Sequence, residues 1–203
     1  MEGEICVALL AGGQSRRMGR DKALLPWGDG LIIDRMIAIA SQVPGATEAM
    51  IVGDRPAYHG RGARVVADEY PGAGPLGGIA TALAATAAPR VLVLAVDMPL
   101  ASPDLLAAMV RYETDAAILV PEVTDRETGR LRLQVLHAIY GQECLEPARR
   151  RICQNERRVT SIYQDVSVER LDEAWVRAYD PELRSFENVN DPEEYARVSA
   201  RNH

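Results

Sequence analysis

Cysteine is scarce in this sequence: among 203 residues only Cys6, Cys144 and Cys153 occur. Three scattered thiols build neither a disulfide framework nor a zinc site, and they are expected to be buried or incidental in a reducing cytoplasm. Long apolar runs are missing as well. None reaches the ~18 residues of a membrane span, so no membrane partner is expected. The opening Met1-Glu2-Gly3-Glu4 lacks the basic lead and the cleavage site of a secretory signal, which again predicts a cytoplasmic protein. There is no basic excess: 23 Lys and Arg stand against 29 Asp and Glu, a net charge of −6. A chain of that sign offers no broad cationic face to nucleic acid. The segment at residues 10–22 is neither a Walker A loop nor a G-x-G-x-x-G fingerprint, so neither of the commonest phosphate-binding signatures stands there.

What is present is ordinary globular material. Hydrophobic residues make up 47% and charged residues 26%, and the length suits one α/β domain. Residues 5–11 form an unbroken apolar run that stops at Gly12-Gly13, the pattern of a strand covered on both faces. Residues 49–52, 63–67, 91–96 and 116–120 read as further strands, and 131–136 resumes a β-like pattern. Helical spacing runs through 31–43. A glycine-rich loop from Pro71 to Gly78 is expected to lead into a helix at about 79–87. Ser102-Pro103 opens another helix, 140–152 reads as a helix that turns basic, and a last one starts at the capping residue Asp191 followed by Pro192. Strands and helices alternate through the first 120 residues. The expected architecture is therefore a three-layer α/β/α sandwich with a Rossmann-like, mostly parallel sheet. In such sheets ligands bind beyond the carboxyl ends of the strands. Gly12-Gly13, Gly53-Asp54, Asp68 and Asp97 all follow strands.

The connection after the first strand reads Leu10-Ala11-Gly12-Gly13-Gln14-Ser15-Arg16-Arg17-Met18-Gly19-Arg20-Asp21-Lys22. Paired glycines let main-chain N–H groups approach a phosphate. The arginines add bidentate donors and Lys22 a compact point charge. A glycine turn with a solvated basic edge would need none of this to coincide, so a small polyanion is the expected ligand. Asp97 closes the most apolar strand. A carboxylate there is costly unless it caps a turn near Pro99 or binds something, and a hard cation such as Mg²⁺ suits it. Asp68 precedes Gly74-Pro75-Leu76, a loop able to wrap a nucleobase and ribose. It is also readable as a plain strand-to-helix connection.

These motifs, in this order, resemble the nucleotidyltransferase superfamily and are most similar to the molybdenum cofactor guanylyltransferases. The resemblance spans nearly the whole chain: residues 10–22, Asp68 with Gly74-Pro75-Leu76, Val96-Asp97-Met98-Pro99, Gln134 to Tyr140, and Asn188 to Glu194. It implies a single nucleotidyltransferase domain over 1–203, nucleotide-binding in about 1–100 and acceptor-binding in about 101–203. It implies transfer of GMP from GTP to the terminal phosphate of a molybdopterin-type acceptor, with Mg²⁺ on Asp97 and Asn190. Lys22, Arg16 and Asp97 would be catalytic. Leu10, Ala11, Gly12, Gly13, Lys22, Asp68, Gly74, Pro75, Leu76 and Asp97 would hold the nucleotide. Molybdoenzyme-maturation proteins would be further partners. Relatives that transfer CMP usually carry Ala-Gly where Gly12-Gly13 stands here. The family often has an asparagine after the second strand, where this chain has Gly53-Asp54. Asn188 and Asn190 could equally make turn contacts, and Gln134, His137 and Tyr140 could be core groups or acceptor contacts. Arg149-Arg150-Arg151 and Arg157-Arg158 read mainly as solvated faces, Trp27 and Trp175 as packing. A cytidylyltransferase and a nucleotide-binding protein without catalysis are the alternatives.

Overall fold

The computed structural model describes residues 5–11, 21–125, 128–189 and 191–199. Its strands are β1 (Ile5–Leu10), β2 (Pro26–Trp27), β3 (Gly30–Leu31), β4 (Ala46–Val52), β5 (Arg64–Val66), β6 (Arg90–Ala95), β7 (Ile118–Thr124), β8 (Leu131–Leu133), β9 (His137–Gly141) and β10 (Val168–Leu171). The helices are α1 (Ile32–Ala40), α2 (Pro75–Ala84), α3 (Pro103–Arg111), α4 (Leu145–Cys153), α5 (Glu173–Arg177) and α6 (Pro192–Ser199). The main sheet runs β10-β7-β9-β6-β1-β4-β5, with β8 paired to β7. Every neighbouring pair from β5 to β6 is parallel. β9 alone reverses direction along that path, antiparallel to both β6 and β7.

The unbroken apolar run of β1 has a direct cause. All six of its residues are buried, and they alternate between two cores. Ile5, Val7 and Leu9 enter the core covered by α1, α3, α5 and α6, through side chains such as Met36, Leu106, Val176 and Val198. Cys6, Ala8 and Leu10 enter the other, covered by α2 and α4 and by the turn at 159–164. This is the three-layer arrangement expected of a mostly parallel sheet. Each fully buried Ile or Leu in it contributes about 1.5–3 kcal/mol. Cys6 and Cys144 are core thiols, both pushed up to about 12 chiefly by burial, and Cys153 is exposed. Trp27 lies buried in the first core. Trp175 packs edge-on to Tyr112 with ring centroids 5.6 Å apart. Among the described residues no helix is long and apolar enough to cross a membrane.

Two expectations are corrected. The glycines after Gly74 are not loop: α2 already begins at Pro75, the first helical position, with Gly74 before it at φ 68°. Gly77 and Gly78 lie inside the helix, where neighbouring segments press close. A Cβ at Gly77 would stand 2.9 Å from the Tyr70 carbonyl oxygen, and one at Gly78 would stand 3.2 Å from a Leu10 methyl. The second correction is at Tyr140, which belongs to strand β9 rather than to the helix expected over 140–152. α4 begins only at Leu145. All five residues of β9 are buried because the strand is inserted between β6 and β7, so polar–apolar alternation never shows. The helix starts at Ser102 and Asp191 stand as expected. Ser102 Oγ accepts from the Leu105 N–H at 3.3 Å, and Asp191 Oδ1 accepts from Glu194 N at 2.8 Å.

Candidate active site

The carboxyl ends of the four parallel strands are level because their ladder continues one residue past each strand. Val96 N donates to the Leu10 carbonyl at 3.2 Å, Ala11 N to Val52 at 3.0 Å, and Gly53 N to Val66 at 2.9 Å. Every connection leaving these strands starts from one edge. Asp97 stands two residues beyond β6, on a turn closed by Met98 N donating to Ala95 O at 3.3 Å. Arg35 of α1 steadies that turn by donating to the Pro99 carbonyl. The chain before α6 is fastened there too, through Val189 N donating to the Asp97 carbonyl at 2.9 Å.

Lys22 arrives from the other side. It opens a 3-10 turn, Lys22–Leu24, capped by Asp21, whose Oδ1 accepts from Ala23 N at 3.1 Å. The Lys22 ammonium donates to Asp97 Oδ2 at 3.1 Å across 75 residues of sequence. The two side chains are 18% and 23% exposed. Less than a quarter of either side chain is exposed, so each charge offsets the other's desolvation, and a polyphosphate with its counter-cation offers each partner the same compensation.

The other expected site residues divide. Gly12, Gly13, Arg16 and Asn190 lie outside the described residues. Leu10 and Leu76 are buried with their side chains in the α2-side core, so only their backbones could meet a ligand. Asp68 follows β5 and spends Oδ1 on its own connection, accepting from Tyr70 N at 2.9 Å and from the Thr81 hydroxyl at 3.2 Å. Gly74 keeps open space on its Cβ side, with the Arg157 carbonyl 4.0 Å away.

The geometry therefore gathers a lysine, a carboxylate and a glycine-bearing helix start at the carboxyl edge of a parallel sheet. The MobA-like NTP transferase domain matches this chain over residues 7–173. The chain belongs to the MobA-like NTP transferase family. This nucleotidyltransferase is 37% identical over 200 residues to a probable molybdenum cofactor guanylyltransferase of Chloroflexus aggregans, covering 95% of this chain and 92% of that one. In fold it is similar to molybdopterin-guanine dinucleotide biosynthesis protein A from Archaeoglobus fulgidus, at TM-score 0.79, 23% identity and 97% coverage of both chains. It is also similar to 2-C-methyl-D-erythritol 4-phosphate cytidylyltransferase from Thermus thermophilus. There the TM-score is 0.71 and the identity 18%, with 96% of this chain and 97% of that chain covered.

Other polar residues of this MobA-like transferase are buried or bonded elsewhere. His137 is wholly buried, neither ring nitrogen has a hydrogen-bond partner among the described residues, and Phe186 packs against it at 5.1 Å. Burial pushes its pKa down to about 4, partly opposed by the Asp180 charge, so it is a neutral core group. Tyr140 is buried too and donates to the Val135 carbonyl at 2.7 Å. The arginine run on α4 scatters: Arg149 donates to the Tyr70 hydroxyl and Arg151 to Asp165. Gly53 stands after β4, where the family often has an asparagine. Its φ is 145°, a backbone conformation that side chains rarely adopt. Tyr58 and Arg55, both bonded to Asp21, are residues the sequence did not flag. Neither belongs to a motif, and only their partner's place beside Lys22 could have pointed to them.

The described residues offer no group of three or more His, Cys, Asp or Glu able to hold a metal ion. A lone, reachable Asp97 carboxylate suits a cation that brings its remaining oxygens from phosphate and water.

Proposed function

We propose that this chain transfers GMP from GTP to the terminal phosphate of a molybdopterin-type cofactor, releasing pyrophosphate, in a Mg²⁺-dependent reaction in the cytoplasm. The observation that carries the reading is the meeting of Lys22 with Asp97 at 3.1 Å beyond β1 and β6. The Chloroflexus relative's name supports guanylyl transfer in particular.

The reaction is an in-line displacement at the α-phosphorus. An acceptor phosphate oxygen forms the new P–O bond, and the bond to the β-phosphate breaks, its electron pair leaving with pyrophosphate. The nucleophile is already ionised, so no general base is needed. The barrier is set by alignment and by repulsion between two anions. Lys22 leaves Asp97 for the α-phosphate and neutralises the charge that builds there. Asp97, with Asn190, would hold Mg²⁺, which when bound supplies charge stabilisation at the same phosphate. Backbone N–H groups of Gly12 and Gly13, with Arg16, would hold the leaving pyrophosphate. The backbone of Leu10, Ala11 and Gly74-Pro75-Leu76, with Asp68, would hold base and ribose. Molybdoenzyme-maturation proteins would take up the product.

The test is pyrophosphate release with a molybdopterin acceptor and each of GTP, CTP, ATP and UTP, with and without Mg²⁺. Turnover with GTP that stops on chelation is expected. Faster turnover with CTP would make the chain a cytidylyltransferase, and no release with any nucleotide would make it a binding protein.

A further inference from the structure

Tyr58 is the last residue of a 3-10 turn, Pro56–Tyr58, beyond β4, and it is fully buried. Its hydroxyl donates to Asp21 Oδ2 at 2.6 Å and lies 3.3 Å from the Ala11 carbonyl oxygen. Those two partners are the described residues on either side of positions 12–20. One phenol oxygen thus touches both the end of β1 and the residue that precedes Lys22. The other Asp21 bonds tighten the same point: Arg55 Nε reaches Oδ2 at 3.1 Å, and Oδ1 caps Ala23. Gly53, at φ 145°, makes the backbone turn between β4 and this segment, with the Tyr58 ring and Ala11 both beside it. Burial, and then the Asp21 carboxylate, push the phenol pKa upward, so the hydroxyl keeps the proton it donates.

We propose that Tyr58 is a positioning residue for nucleotidyl transfer, acting through Asp21 to set where Lys22 meets the reacting phosphate. The proposal rests on the reading of Lys22 and Asp97 as the transfer site. Lysine has a long flexible stem, so its ammonium is placed no better than its backbone. Asp21 is only 11% exposed and its Oδ2 is shared by two donors, which fixes that backbone on one side. Tyr58 touches no reacting atom, and its effect should show in the rate of the chemical step.

The test is steady-state kinetics on Tyr58→Phe, which keeps the ring and removes only the oxygen, at a temperature where both proteins are fully folded. A fall in kcat of ~10-fold is expected with KM for GTP within ~3-fold, as for a catalytic group moved slightly out of line. Asp21→Asn keeps the tyrosine in place and removes the charged acceptor. It should lower kcat similarly, and the double variant should be no worse than either single one. A Tyr58→Phe enzyme with wild-type kcat would overturn the proposal. So would full additivity in the double variant, or a loss carried by KM alone. Asp97→Ala in the same assay separates the two levels. If it turns over normally, the transfer site itself is misplaced and the proposal falls with it. If it is dead while Tyr58→Phe is unimpaired, only the positioning role is lost.

Discussion

The two halves of the sheet treat polar residues differently. From β5 to β6 the strands run parallel, and polar residues lie beyond their carboxyl ends: Asp68 after β5, Asp54 after β4, Asp97 after β6. Every connection leaves from one edge, so groups distant in sequence meet there. In the other half β9 runs backwards, and its histidine sits within the strand, opposite Leu94. His137 is consequently sealed between the sheet and Phe186, while Asp97 stays within reach of Lys22 and solvent. A polar residue just past a parallel strand is placed to act. One inside a strand covered on both faces is placed to be buried.

The strongest way to break this contrast is at its reactive side. Asp97→Ala should abolish pyrophosphate release while GTP binding stays measurable by calorimetry. Lys22→Ala should lower kcat by ~100-fold or more, the scale of removing one electrostatic stabiliser. Near-normal rates in either variant would leave this edge of the sheet without its chemistry. A smaller effect is expected where the helix start meets the strand ends. Gly77→Ala should destabilise the fold by about 1–3 kcal/mol, because the new methyl meets the Tyr70 carbonyl and the strain outweighs alanine's better helix propensity. Urea melts would show this, and an unchanged midpoint would mean the contact relaxes at no cost.

The smallest effect belongs to the buried side. His137→Leu should leave kcat unchanged and shift stability at neutral pH by no more than about 1 kcal/mol, since it deletes two nitrogens that have no partner among the described residues. Its signature is pH. The folded-state pKa, about 4, lies below the ordinary 6.5, so the unfolded chain binds the proton first on acidification. Stability is complete above 6.5 and falls as pH drops toward 4, by roughly 3 kcal/mol in all. Denaturant melts should show that fall in the wild type between pH 6.5 and 4.5 and a flatter profile in His137→Leu. Glu173, held down to about 2 chiefly by the Thr124 N–H, loses its contribution only below its ordinary 4.5. A wild type with a flat profile across the upper window would mean that His137 charges freely and is not sealed.

Much of the fold was legible because burial on both faces leaves a plain mark. The runs at 5–11 and 91–96 could hardly be anything but central strands, and Ser102 and Asp191 carry helix starts in their own chemistry. The start of α2 was misread because glycine marks loops in general, whereas Gly77 and Gly78 serve close packing against Tyr70 and Leu10. β9 was missed, with Tyr140 and Gly141 given to a helix, and the hairpin β2–β3, β10 and α5 left no clear pattern at all. In the site, the residue types at 22 and 97 were readable, since a lysine after a glycine-rich turn and an acid after an apolar strand are chemically conspicuous. Tyr58 was not, because a tyrosine in a polar stretch looks like any other.

By itself the amino-acid sequence determined the layers and which groups could carry charge chemistry, because hydrophobic periodicity and side-chain type are local properties. Only the tertiary structure decided that Lys22 and Asp97 stand 3.1 Å apart, that His137 is shut in the core, and that Tyr58 bonds to Asp21. Those outcomes depend on strand order and direction, which bring distant segments to one edge, and no local pattern encodes the distance between them.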